Sequence, residues 1–478
     1  MKFGLALLLL CSLPASAQTL AHRGWAGSGL TAESWWQRAV FYRLDPATFQ
    51  DSDGDGRGDL AGVAQRTGYL QSLGVDAIIL APADTSPQLS PNDHDGFDDL
   101  ARAASTHHLR VLIALGSAAN SGPNAGSSLL AAARSWLTQG AAGFYLDERL
   151  LAGPQLSPDL LHQLRALTTS FPGDRVLLSA TAPIGNTALA DALHRDVQLM
   201  ASPPLGTTMD PAALRGQVTS AGGVPLLSAV RSPAKEATSL RGDLAVLLLG
   251  SRSAVLLDYG QELGLDLTAS NTAPLMQWTP GNRTLPPPPP PPPPPDYNAT
   301  VYKPYAPYVP PLPRSENPSP PPLPSAFVSE TPDPHTLPGF STVIADPSLA
   351  APNGATANVV SEDAQPHSLL NLYRHLIQLH HQNAALQDGA QLFLDHDADS
   401  ALVWLRRPTP GARTSTTVLA VCNLSNHNLH LGLNRELGPM RVPYGGLRTL
   451  VSTSPIPFED SEDIVLPPGG AFLGEFSR

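Results

Sequence analysis

From about residue 40 to residue 257, short apolar runs of strand length alternate with longer stretches in which apolar residues recur every three or four positions. The runs predict strands at 40–42, 77–80, 111–115, 143–146, 176–178, 197–200, 225–227 and 254–257. The intervening periodicity predicts helices within 60–73, 100–107, 129–138, 160–167 and 240–248. Strand and helix in turn are the pattern of repeated βα units, and eight such strands suffice to close a parallel (β/α)8, or TIM, barrel. An open doubly wound sheet is the alternative that periodicity alone permits.

Past residue 280 the pattern stops. Residues 286–295 are an unbroken proline run, followed by Tyr297, Tyr302, Tyr305 and Tyr308 among further prolines to Pro338. Ten prolines offer no backbone donor and fix φ, which predicts a stiff polyproline II rod about 31 Å long that cannot join a core. Helical spacing returns at positions 369, 372, 373, 376 and 379, and alternating runs at 401–405 and 417–421 predict an antiparallel β-sandwich to the C-terminus. Pro467-Pro468-Gly469-Gly470 ahead of Ala471-Phe472-Leu473 suggests a final hairpin turn.

At the other end Met1-Lys2 precedes an apolar run to Leu13 and then Pro14-Ala15-Ser16-Ala17, the basic, apolar and small-residue order of a secretory signal peptide. The run is about half of the roughly 20 residues a spanning helix needs, so cleavage after Ala17 fits better than an uncleaved anchor. Leu8-Leu9-Leu10-Cys11 is a poorer fit as a lipoprotein site. The expected organisation is a signal peptide at 1–17, an N-terminal arm at 18–34, a barrel at 35–284 and 339–388, a Pro-rich disordered insert at 285–338 and the sandwich at 389–478. Secreted or periplasmic export follows, with no membrane span after cleavage.

Composition adds little beyond this. The 51 prolines beside 15% charged residues agree with a folded body carrying one irregular segment. Forty-one acidic residues against 29 basic ones, with no basic block, give a net charge of -12 and argue against nucleic acid or an anionic membrane as partner. Once the signal is removed only Cys422 remains, so no disulfide framework is available.

Asp51-Ser52-Asp53-Gly54-Asp55-Gly56-Arg57-Gly58-Asp59 spaces carboxylates at even intervals around glycines, as a loop wrapping a hard cation with oxygens requires. An EF-hand needs a Glu at the twelfth position, which is Gly62 here. Read outward, from Trp35-Trp36-Gln37-Arg38-Ala39-Val40-Phe41-Tyr42 to Tyr69-Leu70-Gln71-Ser72-Leu73-Gly74-Val75-Asp76-Ala77-Ile78, the segment resembles the first βα unit of glycoside hydrolase family 13, the α-amylase family, particularly its oligo-1,6-glucosidase and trehalose synthase branch. Gly143-Phe144-Tyr145-Leu146-Asp147 is similar to that family's fourth strand. Residues 248–264 look like its eighth strand and following loop. Met276-Gln277-Trp278 and, beyond the proline insert, Gly339-Phe340-Ser341 resemble one continuous segment of it. The resemblance implies a structural Ca2+ held by Asp51, Asp53, Asp55, Arg57 and Asp59. It also makes Asp147 the match for the catalytic nucleophile.

Retaining members of such families need a second carboxylate as general acid/base about 5 Å from the nucleophile. Here Val176-Leu177-Leu178-Ser179-Ala180-Thr181 places Ala180 at that position, and an alanine cannot move a proton. Leu227-Ser228-Ala229-Val230-Arg231 stands where the family has Asn-His-Asp, Tyr145 where it has an Arg, and Ala114 and Ala118-Ala119 where it has an Asp and an Asn-His pair. The segment 82–97 is too short for the family's Gly-Tyr-Asp loop, and no domain B follows the third strand. Hydrolase-like heavy chains of amino-acid transporters show a similar loss, but they carry a membrane helix.

The pairs His107-His108 and His380-His381 lie in segments read as helical, where neighbours point about 100° apart, so solvated histidines are expected rather than a metal site. Sequons stand at Asn282, Asn298 and Asn423, and no glycine pattern of a serine nucleophile elbow follows a strand. The reading is an exported, calcium-stabilised, degenerate α-amylase-family protein with a possible carbohydrate ligand and a protein partner for the Pro-rich insert. The alternative is residual or altered α-glucosidase or glucosyltransferase activity with Glu148 or Glu262 recruited as acid/base.

Overall fold

The structure is a computed structural model, and it describes residues 34–81, 94–116, 125–154, 156–183, 185–207, 210–219, 226–230, 240–266, 274–280, 339–341, 351–397, 399–408, 416–442, 446–453 and 464–476. The signal segment 1–17, the arm to residue 33 and the proline run lie outside the described residues.

Eight parallel strands are β1 (Val40–Leu44), β2 (Ala77–Leu80), β3 (Arg110–Leu115), β4 (Gly143–Leu146), β5 (Val176–Ser179), β6 (Leu199–Met200), β7 (Leu226–Ser228) and β8 (Ala254–Asp258). They pair in the order β6-β5-β4-β3-β2-β1-β8-β7, and bridges Ala201–Leu226 and Leu205–Ala229 bring the two ends of the sheet together. The result is a TIM-like barrel, nearly closed. Each of β2, β4 and β5 is buried along its whole length, which is why these runs read as continuously apolar.

Helices fill the connections: α1 (Pro46–Phe49), α2 (Leu60–Gln65), α3 (Thr67–Leu73), α4 (His94–Thr106), α5 (Ala125–Thr138), α6 (Glu148–Ala152), α7 (Pro158–Ser170), α8 (Thr187–Asp196), α9 (Pro211–Thr219) and α10 (Arg241–Gly250). After the insert come α11 (Val359–Asp363), α12 (Leu369–Gln382) and α13 (Ala384–Asp388). The helix expected over 60–73 is two helices, broken at Arg66, and the strand expected from 197 begins at Leu199. Nine residues separate β3 from α5, too few for a domain.

The C-terminal part contains β9 (Ala390–Leu394), β10 (Ala401–Arg407), β11 (Val418–Asn423), β12 (Leu429–Leu431), α14 (Asn434–Leu437), β13 (Leu447–Ser452), β14 (Ile464–Leu466) and β15 (Ala471–Phe476). Five strands form an antiparallel sheet in the order β13-β15-β11-β10-β9, and β12 pairs with β14. The period of two sorts the side chains of β10 and β11. Val403, Leu405, Leu419 and Val421 join the core shared with Leu429, Leu431, Ile464 and Leu466. Trp404, Arg406 and Cys422, between them in register, instead reach backbone carbonyls of α10. The sheet is therefore buried on both faces and joins the barrel through α10. The turn at 467–470 is not a hairpin: β14 and β15 belong to different sheets, and the chain crosses between them there.

The two described flanks of the proline insert meet. A Cβ on Gly339 would stand 3.1 Å from Thr279 Oγ1, so the chain leaves and returns at one place. The returning strand is held by Gln50, whose amide donates to the carbonyls of Gly339 (3.1 Å) and Phe340 (2.9 Å).

Candidate functional site

In a parallel barrel the C-terminal strand ends lie on one face, where loops can build a site. Arg43 near the end of β1 and Asp258 at the end of β8 are register partners. Arg43 donates from Nε to Asp258 Oδ1 (2.6 Å) and from Nη2 to Oδ2 (3.1 Å), a two-pronged ion pair. Its Nη1 reaches the Tyr145 hydroxyl on β4 (3.3 Å) and Glu148 (3.5 Å). The arginine thus extends from β1 to β4 over this end of the barrel.

Asp147 follows β4 and caps α6. Its Oδ1 accepts the Leu150 amide at 2.9 Å, and Oδ2 accepts Arg149 Nε at 2.7 Å and pairs with Nη2 of the same guanidinium. Gly116 at the end of β3 permits this, because a Cβ there would come within 2.9 Å of Asp147 Oδ2 and 3.1 Å of Arg149 Nη2. Burial outweighs the cap and the arginine and holds the Asp147 carboxyl above the usual carboxylate range. Ala180 stands beside it: its amide donates to the Leu146 carbonyl at 2.8 Å, and it is fully buried. Ser228 and Ala229 end β7 with no carboxylate. Glu262 is not at hand as a substitute acid, because it is fully buried and accepts hydrogen bonds from the hydroxyls of Tyr42 and Tyr69, each at 2.7 Å. Glu148 is exposed and lies next to Asp147.

The acidic loop between α1 and α2 brings Asp51, Asp53 and Asp59 together, with one oxygen of each within 4.8 Å of the others. Asp51 organises it, accepting the amides of Asp53, Gly54 and Gly56 and the Ser341 hydroxyl. Burial would raise the Asp51 carboxyl, but these four donors hold it below its ordinary value. Gly54 and Gly56 supply the left-handed φ, 82° and 92°, that the loop requires. Asp55 stands outside the group and accepts the Arg57 amide at 2.7 Å. A set of three anionic oxygens fits a hard divalent cation.

The histidines differ from the expectation. His107 and His108 lie in the turn after α4, His107 bonded to Gln71 Oε1 (2.8 Å) and His108 at φ 60°. His380 is not solvated but buried in α12, between the carbonyls of Leu249 (2.9 Å) and Arg38 (3.1 Å). His381 pairs with Asp76 at 3.0 Å. Sequence reading also missed Arg43 and Arg149. A lone arginine inside the apolar run Val-Phe-Tyr-Arg-Leu was the available signal for the first.

A nearly closed parallel barrel with three carboxylates and two arginines gathered at the C-terminal ends of its strands defines a TIM-barrel protein with a charged cluster on the face where such barrels build their sites. The family model for the alpha amylase catalytic domain matches residues 43–100. Trehalose-6-phosphate hydrolase of Escherichia coli (strain K12) is 39% identical over 94 residues, 16% of this chain and 17% of that protein. Oligo-1,6-glucosidase of Bacillus cereus is 44% identical over 66 residues, 14% of this chain and 11% of the other. The chain thus matches less than a fifth of the length of either relative. The isomaltulose synthase SmuA from Protaminobacter rubrum has a similar fold, with a TM-score of 0.65 at 16% identity over 94% of this chain and 100% of that one. Over residues 43–100 the sequence is similar to the α-amylase family, glycoside hydrolase family 13, and the fold of most of the chain is similar to that of the synthase.

Proposed function

We propose that this is an exported α-amylase-family protein that has given up glycoside hydrolysis and uses its barrel to bind carbohydrate or to serve as an interaction module. The observation that carries this reading is the state of Asp147: both its oxygens are committed to Arg149 and the α6 cap, and the end of the adjacent strand, whose amide bonds to the Leu146 carbonyl, is Ala180. A retaining mechanism needs a free carboxylate and a proton donor about 5 Å apart, and neither role has a side chain in place. The Asp51, Asp53 and Asp59 carboxylates would hold a structural calcium ion that ties the loop after β1 to Ser341 beyond the insert. The Pro-rich insert, whose described flanks meet at Thr279 and Gly339, would serve a protein partner of its own.

The test is turnover of maltose, trehalose, sucrose and isomaltose by the purified protein, beside calorimetric binding of the same sugars. Binding without turnover is expected, with Asp147→Ala no different in turnover. Hydrolysis abolished by both Asp147→Ala and Glu148→Gln would instead establish residual retaining activity with exposed Glu148 as acid/base.

A further inference from the structure

Helix α10 lies between barrel and sheet, packed against α12, β11 and β15, and every residue from Asp243 to Gly250 is buried. Within that apolar run Asp243 is 1% exposed, and neither carboxyl oxygen has a hydrogen-bond partner among the described residues. The neighbouring arginine does not serve it, since Arg241 donates to the Gly264 carbonyl (2.6 Å) and to Asp266 (2.5 Å). The Cys422 thiol on β11 donates to the backbone carbonyl of Asp243, 3.6 Å away, and leaves the carboxyl untouched.

The titratable groups on the packed elements are engaged elsewhere. On α12, Tyr373 meets Gln261, Arg374 pairs with Asp363, His380 holds two carbonyls, His381 pairs with Asp76 and His375 is exposed. On β15, Glu475 pairs with Arg448. An ionised carboxylate with no partner in an apolar site is far costlier than the neutral acid.

We propose that Asp243 is kept as a carboxylic acid at neutral pH, so that the junction between the barrel and the C-terminal sheet is favoured by acid and weakened as rising pH ionises this side chain. Burial, with no compensating partner, drives the Asp243 carboxyl well above its ordinary range. The sign follows from proton linkage. The unfolded chain releases this proton near pH 4 and the folded chain retains it, so the contribution is whole below that point and falls away as pH rises to the folded value.

The experiment compares the full chain with Asp243→Asn and with Asp243→Leu as a second variant, by calorimetric unfolding across pH and by infrared difference spectroscopy. The folding equilibrium constant of the wild type relative to Asp243→Asn is expected to fall about tenfold per pH unit above pH 4 until the folded value is reached. A carboxylic-acid carbonyl band should be present in the wild type at neutral pH and absent from Asp243→Asn. Identical pH profiles, a missing band, or both variants being less stable than the wild type at neutral pH would overturn the proposal.

Discussion

The side chain whose behaviour departs most from its sequence context is His380. On α12 it reads as one of a pair of surface histidines, yet tertiary packing buries it between two backbone carbonyls. Burial, helped by the neighbouring His381, lowers it from 6.5 to about 4. The folded state therefore stays neutral where the unfolded chain takes up a proton. Stability is lost as pH falls from 6.5 towards 4, by about 3 kcal/mol over the window. Relative to the wild type, His380→Gln should lose that contribution in urea unfolding at stepped pH, and a profile parallel to that of the wild type would refute the assignment. The same scale shows what motifs can and cannot give. Ala180 and Asp147 were legible because each follows a strand in a recognisable order. The hold of Arg149 on Asp147 was not, because residues two apart on a helix do not face each other. It arises only because Asp147 is the extended N-cap, with its side chain folded over the first turn.

Elements were legible where burial alone decides and obscure where a distant residue intervenes. All eight strand positions follow from apolar runs, but the break between α2 and α3 does not. It is made by Arg66, whose guanidinium leaves the helix to lie 3.9 Å over Trp278 and to donate to Gln50 Oε1 at 2.7 Å. Burial lowers that arginine to about 9. Trp278 in turn donates to the Phe49 carbonyl at 2.9 Å, so the segment before the insert is fastened to α1. The acidic loop lies between these fastened pieces, and its proposed ion would add to them. Calcium at a hundredfold excess over its Kd should then raise stability by about 2.7 kcal/mol through mass action alone. The check is a thermal melt with and without chelator, on the wild type and on Asp59→Asn. A midpoint that ignores chelator would remove calcium from this loop.

In the whole molecule α10 packs against both β11 and β15 of the C-terminal sheet, and the groups that titrate there act in opposite directions. The last carbonyls of α10 are taken by His380, Trp404 and Arg406, the last donating to Gly250 at 3.2 Å, while Asp243 occupies the first turn. Between about pH 4 and 6.5 protonation of His380 weakens the folded state as pH falls, whereas ionisation of Asp243 weakens it as pH rises. The two slopes oppose each other in that window and flatten the profile, and Glu362, raised by burial to about 7, adds to the Asp243 slope up to that pH. Relative to the wild type, Asp243→Asn should therefore uncover a stability profile tilted upward with pH. His380→Gln should uncover one that declines with pH throughout. Calorimetric midpoints of the wild type, the two single variants and the double variant across pH read this directly. Coupling through α10 would be refuted if the two single variants tilted the profile the same way. It would equally be refuted if the double variant kept the full tilt of either single one.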